Sequence, residues 1–350
     1  MNRGRIYAFL VPTISVLIAL GIGSIVILLI GKSPITAYSV MFQGAFGGRE
    51  ALADTVVKMT PLVLTGLAVG FGFRAGVFNI GADGQMAMGA LMGAIVAMSF
   101  GWLPPVILIP LSIISGMVAG AIWASIAGFL KAFTGAHEVI STIMLNWIAV
   151  NIGTFMVTGP LAVGTGTPKS PEIADAAKLP IILKVQAIQL TIGIVIAIIV
   201  AIVMYILIEK TTMGYELRGV GFNPYASEYG GINIKKNIVM IMAISGALAG
   251  MAGIVDLLGV PPHRFLGEFT AGRGFDGITI ALIGRNHPIG IIFAALLISV
   301  LRTGSNAMQI RAQIPNDIVT IIQGIVIFLV AAERIVATLI EWKQRKKVTA

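Results

Sequence analysis

The chain has 350 residues, 57% of them apolar and only 11% charged, with a net charge of +9 and a mean hydropathy of +0.96. Soluble domains carry about 25% charged residues, so this chain cannot cover the surface of a soluble protein, and a soluble enzyme is excluded. The absence of Cys removes disulfides and thiolate chemistry, and three scattered histidines, His137, His263 and His287, make no zinc site.

Taken in chain order, apolar stretches of about 20 residues read as spanning helices at 9–30, 106–130, 139–157, 188–208, 238–259 and 318–332. Three further apolar regions are interrupted: 59–73 continuing to 97, 277–283, and 289–301. Counting the interruptions as turns predicts an all-α polytopic membrane protein with about ten crossings, some short or discontinuous, in one transmembrane domain over 1–350. The first segment is long enough to span and lacks a small-residue cleavage site, so it reads as a retained helix. An even count puts both termini on one side. Arg3, Arg5 and the run Lys343–Lys347, within a basic tail at 334–350, place that side in the cytoplasm. Basic residues placed mostly at the ends and in short loops, without interleaved aromatics, do not point to nucleic acid.

Two loops are long. The loop at 159–187, with prolines at 160, 168, 171 and 180, is expected outside. The loop at 209–236 is expected inside and carries four aromatics, with Leu217, Val220, Ala226 and Tyr229 near helical spacing. A short amphipathic helix along the membrane face, with Pro224 in a first turn, accounts for that pattern. A solvated connector would explain the length but not the aromatics.

Ile114-Ser-Gly-Met-Val-Ala-Gly120 and Ile244-Ser-Gly-Ala-Leu-Ala-Gly250 share five of seven residues and each contains G-x-x-x-G, a weak internal repeat that permits close helix approach in lipid. Gly-broken regions near 76–84 and 267–277 also fall one in each half, a pattern that marks repeats and pathway in transporters. Gly31-Lys32-Ser33 lacks the earlier glycine of a phosphate-binding loop. The literal G-x-G-x-x-G at 272–277 follows no strand, so neither binds a nucleotide. No G-x-S-x-G, H-E-x-x-H or paired carboxylates occur within a span, which leaves hydrolysis unsupported.

Polar residues within apolar stretches require a reason. The first set surrounds Gly76, Gly81 and Gly84: Phe78, Asn79, Asp83 and Gln85, readable as a polar turn capping two helices or as a discontinuous helix lining a pathway. The second is one helical face, Glu138, Thr142 and Asn146, which suits helix–helix hydrogen bonding or a pore lining. A third stripe, Asn316, Asp317, Thr320 and Gln323, opens the last span, and the stretch 273–276 with Phe275 and Asp276 forms a candidate half-helix mouth. No chain of titratable groups runs deep in a span, which argues against a proton-driven carrier.

The segments FRAGVFNIGADGQMAMGA, EVISTIMLNWIA, GYELRGVGFNPYASEYGGIN, SGALAGMAG and GFDGITIALIGRNHPIGIIFAALL, in that order, resemble bacterial ABC-transporter permeases of the branched-chain amino acid, ribose and nucleoside group. The resemblance covers about 10–335 and is nearest the simple-sugar/nucleoside branch, whose members often carry Glu where Asp83 stands. It implies a non-catalytic permease subunit of an importer in the bacterial plasma membrane, for a nucleoside or, alternatively, ribose or another simple sugar. An ion-coupled secondary carrier is the alternative of a different class. The implied partners are a cytoplasmic ABC ATPase that holds ATP and Mg, a second and different permease, and an external substrate-binding lipoprotein; the permease itself binds no cofactor or metal. It also implies a coupling helix at about 214–232, with Gly214, Glu216, Arg218, Gly221, Asn223, Pro224 and Gly231 on the matching pattern. The pathway candidates are then Phe78, Asn79, Asp83, Gln85, Glu138, Thr142, Asn146, Phe275, Asp276 and Gln323, a mostly uncharged set suited to a neutral, hydrogen-bond-rich solute.

Overall fold

The structure is a computed structural model that describes residues 3–164, 166–315 and 317–331. The basic tail at 334–350 and Asn316 lie outside the described residues, as does the side chain of Gln323. The chain divides into two compact units, 1–55 with 297–350, and 56–296.

In the first unit α1 (Arg3–Leu29) and α2 (Pro34–Phe46) meet at a 119° bend. Gly31 adopts φ +75° there, and Ser33 caps α2 ahead of Pro34 at its first turn. The Tyr38 hydroxyl donates to the Leu20 carbonyl at 2.6 Å and holds the bend. Gly23 of α1 makes room for Ile322 of α13 (Asp317–Ala331), and Gly44 of α2 sits against Ala307 near the end of α12 (Pro288–Ala307).

The second unit contains most of α3 (Arg49–Arg74), then α4 (Ala82–Ser99), α5 (Pro105–Phe129) and α6 (Glu138–Thr158). These are followed by α7 (Gly193–Lys210), α8 (Thr212–Phe222), α9 (Pro224–Tyr229), α10 (Ile234–Gly259), α11 (Arg273–Ile283) and the start of α12. Its centre is α4 packed with α5 and α10. A Cβ on Gly120 would lie 2.2 Å from the Gly246 carbonyl oxygen, and one on Gly250 would lie 2.3 Å from that of Gly116. The two copies of the repeated heptapeptide therefore face each other antiparallel, 116 against 250 and 120 against 246, each G-x-x-x-G supplying the groove for the other. Gly89 of α4 closes the third side against Gly250.

Among the described residues, six helices are long and apolar enough to cross a membrane, or seven if the bent α1–α2 pair counts as one span. The expected ten is not reached by that measure; α13 is described only as far as Ala331, and α4 and α11 fall short for physical reasons. The helix α4 carries Asp83 and Gln85 in its first turn and buries most of its length within the unit, so it needs little lipid-like surface. The 11 residues of α11 rise only about 16 Å, half of a bilayer core of about 30 Å. The loop at 159–187 is not wholly irregular either. Its end forms a β-hairpin, β1 (Ile181–Val185) against β2 (Ile188–Thr191), so the helix expected from 188 begins at Gly193.

The same loop folds onto 260–267. Ser170 and Ile173 donate backbone bonds to Phe265 and His263, and Gly267 donates one to Pro168. Lys178 binds Glu172 and Asp175 at 2.7 and 2.6 Å, and this holds the carboxyls of both below their usual range. His263 is buried at the contact, its Nδ1–H donating to the Leu257 carbonyl at 3.2 Å, and burial pushes its pKa down.

Candidate functional site

The break between α3 and α4 begins at Gly76, whose φ of +75° ends α3. It contains Asn79, whose side chain uses every position it has. Its Nδ2 donates to Gln85 Oε1 at 2.9 Å and to Ser245 Oγ of α10 at 2.8 Å. Its Oδ1 accepts from Gln85 Nε2 and from the Gly81 amide, both at 2.9 Å. Asn146 of α6 closes the break from the other side, accepting from the Gly84 amide at 2.8 Å and donating to the Ile80 carbonyl at 3.0 Å. The freed backbone groups of the interrupted helix are thus satisfied by amide side chains from its own chain ends and from α6. Thr142 lies one turn below Asn146 and bonds back to the Glu138 carbonyl at 2.7 Å.

Asp83 lies in the first turn of α4, where the first turn of α11 arrives. Its Oδ1 accepts from the Gly274 amide at 3.0 Å and its Oδ2 from the Thr270 hydroxyl at 2.7 Å. A Cβ on Gly274 would lie 2.3 Å from Asp83 Cα, so the two N-termini touch through backbone. Two helix N-termini each carry about half a positive charge, and the buried carboxylate neutralises their meeting point. Arg273 is held by Asp256 at 2.6 Å and by the carbonyls of Phe269 and Thr270, with its guanidinium 5.4 Å from the Phe269 ring.

The predicted pathway residues therefore separate. Asn79, Gln85, Thr142 and Asn146 gather at the α3–α4 break, and Asp83 sits at the junction with α11. Glu138 pairs with Lys131 at 2.5 Å, and Phe78 packs on Phe73 with ring centroids 4.6 Å apart. Phe275 is exposed and Asp276 is partly buried on the first turn of α11.

The segment expected to form one amphipathic helix at 214–232 forms two. Asn223 ends α8 and, through Oδ1 accepting from the Ala226 amide at 3.1 Å, caps α9, with Pro224 at its first position. Gly231, with φ +85°, follows the end of α9. Gly214 lets the start of α8 press on the end of α7, where a Cβ would meet the Leu207 carbonyl at 2.2 Å. Gly221 and Gly76 lie in direct backbone contact: a Cβ on Gly76 would be 2.7 Å from Gly221 Cα, and one on Gly221 2.8 Å from the Arg74 carbonyl. Glu209 at the end of α7 binds Arg74 and lies 3.8 Å from Arg218. Leu217 and Val220 face inward, Glu216 is half-buried, and Tyr215, Phe222, Tyr225 and Tyr229 are exposed, Tyr229 by 98%.

Residues 51–331 match the family model described as branched-chain amino acid transport system / permease component. The chain belongs to this family. The permease is 38% identical over 332 residues to a guanosine ABC transporter permease protein, NupP, of Bacillus subtilis, covering 94% of each chain. It is 37% identical to the nucleoside ABC transporter permease protein NupB of Lactococcus lactis, covering 95% of this chain and 93% of that one. To the glucose ABC transporter permease protein TsgB13 of Haloferax volcanii it is 34% identical, covering 93% and 88%. No solved structure matches.

The sequence alone did not single out one further feature of the permease. A cavity of about 200 Å³ lies between α4, α6 and the segment 265–272. Ala87, Ala149 and Gly153 leave the space, Phe265 and Phe269 stack beside it with centroids 5.3 Å apart, and Glu268 stands exposed on its lining. Thr270 lines it as well and links it to Asp83. The signal available beforehand was the aromatic pair at i and i+4 next to a Gly-rich break, which has no meaning until α6 is placed opposite.

Proposed function

We propose that this permease is the membrane subunit of an ABC importer and forms the translocation pathway for a nucleoside. It hydrolyses nothing itself. A separate cytoplasmic ATPase, holding ATP and Mg, docks on α8 and α9, a second and different permease completes the membrane part, and an external lipoprotein delivers the solute. The chain resides in the bacterial plasma membrane with both termini in the cytoplasm and more crossings than the long helices alone supply.

One observation carries the coupling: the exposed aromatic faces of α8 and α9 are backed, through Gly221 on Gly76, by the start of the α3–α4 break. A push on α8 moves Arg74 and Gly76 with it, because no side chain lies between the backbones to absorb the displacement. Beyond Gly76 the break is tied to α6 by Asn146, to α10 by Asn79 and Ser245, and to α11 by Asp83. Partner dimerisation on ATP thereby rocks these helices between two arrangements of one pathway. The pathway candidates Phe78, Asn79, Asp83, Gln85, Glu138, Thr142, Asn146, Phe275 and Asp276 belong to the moving region, and Gln323 stays a candidate on sequence grounds. Gly214, Glu216, Arg218, Asn223, Pro224 and Gly231 shape the docking helices.

The nucleoside assignment draws its support from the guanosine and nucleoside relatives and from a site region with few uncommitted charges. The glucose relative favours a second reading, a simple sugar. Uptake of tritiated guanosine by cells with and without the gene tests the assignment: loss of uptake, unaffected by excess glucose, supports the nucleoside, and unchanged uptake in a strain lacking other nucleoside carriers contradicts it.

A further inference from the structure

We propose that the cavity between α4, α6 and 265–272 is where the permease holds its solute, and that it is built for a neutral nucleoside carrying a guanine-type base rather than a sugar or an anion. This rests on the importer reading above and adds a place and a selectivity to it.

Size is the first argument. The cavity measures about 200 Å³, above the roughly 150 Å³ that accepts a benzene ring in an apolar core, so a bicyclic base fits. Its wall is the second. The stacked Phe265–Phe269 pair and the small residues Ala87, Ala149 and Gly153 give an apolar, partly aromatic slot, which suits the flat face of a base better than the hydroxyl-covered faces of a hexose.

Charge is the third argument. Glu268 supplies the only ionisable side chain among the cavity's lining residues. A carboxylate accepts two parallel hydrogen bonds, and the N1–H and N2–H2 donors on the Watson–Crick edge of guanine present that pair, whereas adenine presents an acceptor at N1. The guanidinium of Arg273, next in the chain to the lining residue Gly272, is taken up by Asp256 and two carbonyls. None of the lining residues is cationic, so the lining itself offers no partner to the phosphate of a nucleotide or the carboxylate of an amino acid.

Position is the fourth. Thr270 lines the cavity and donates to Asp83, which also accepts the first-turn amide of α11. Filling the cavity therefore bears on the junction of the two broken helices, the element that must shift during transport.

The test uses the full-length permease in its native transporter, with tritiated guanosine uptake and competition by adenosine, guanosine monophosphate and glucose. Val150 lines the cavity and is half-exposed, so Val150→Phe fills the cavity with little disturbance of the fold. We expect it to cut guanosine uptake at least about tenfold while the protein remains at its normal level in the membrane. Glu268→Gln is expected to raise the guanosine KM about tenfold, to erase the preference over adenosine, and to admit inhibition by guanosine monophosphate. Parental guanosine KM in both variants would overturn the cavity as the site while leaving the importer reading intact. Glucose competing as well as unlabelled guanosine in the parental transporter would overturn the base as the recognised part. No guanosine uptake by the parental transporter would overturn both readings.

Discussion

Asn79 and Asp83 show how a polar side chain is afforded inside an apolar unit: each is saturated. Asn79 makes four hydrogen bonds, and Asp83 accepts from Thr270 and Gly274 at the junction of two helix N-termini. Asp83→Asn keeps the volume but removes the charge between the two positive helix ends and turns one acceptor into a donor. It is expected to cost about 1.5–3 kcal/mol, read as a lowered melting temperature of the purified permease; an unchanged melting temperature would contradict the neutralising role. Asn79→Ala is expected to be at least as damaging, because Gln85, Ser245 and the Gly81 amide all lose a partner. The residue types at these positions were legible in the sequence as polar groups needing a reason. Their partners were not, since Thr270 and Gly274 lie 187 and 191 positions from Asp83 and no spacing rule reaches that far.

At the scale of elements, the repeated heptapeptides were visible before the fold was known, and the structure gives the repetition a cause: they are the two halves of one antiparallel helix contact. Gly120→Val would drive a branched side chain into the Gly246 carbonyl and is expected to cost about 1–3 kcal/mol. Gly21→Ala, where nothing lies within 4 Å, is expected to be neutral or slightly stabilising; equal melting temperatures for the two variants would refute the packing argument. The hairpin at 181–191 was not legible, because a short apolar run such as Ile188–Thr191 continues without a break into the apolar helix that follows, and periodicity cannot separate the two. The loop platform that it joins also carries a pH response. His263 is neutral in the fold with its pKa depressed by burial, so the unfolded chain binds the extra proton as pH falls below about 6.5, and stability falls with it. Glu172 and Asp175 act in the same direction further down, losing their contribution only below about pH 4.5. Limited proteolysis of the 159–192 segment is expected to speed up between pH 7.5 and 5.5. His263→Asn, which tolerates the φ of +54°, is expected to remove most of that difference, and persistence of the full difference would assign the response to other groups.

For the whole molecule, composition alone placed the chain in a membrane, and the ordered motifs placed it among permeases. The number of crossings was less legible, because helices such as α4 and α11 are buried by protein and need neither the length nor the apolarity that lipid demands. The α8–α9 segment was legible as an amphipathic, aromatic-rich stretch, while the division at Asn223 and the contact of Gly221 with Gly76 came only with the fold.

That contact tests the central claim most directly. Gly221→Val leaves the exposed aromatics of α8 and α9 in place but separates α8 from Arg74 and Gly76. Guanosine uptake and ATP hydrolysis are to be measured together on the reconstituted transporter carrying this substitution. The account predicts that the ATPase remains bound and hydrolyses ATP while guanosine transport falls at least about tenfold; transport retained at the parental ratio of solute to ATP would contradict it.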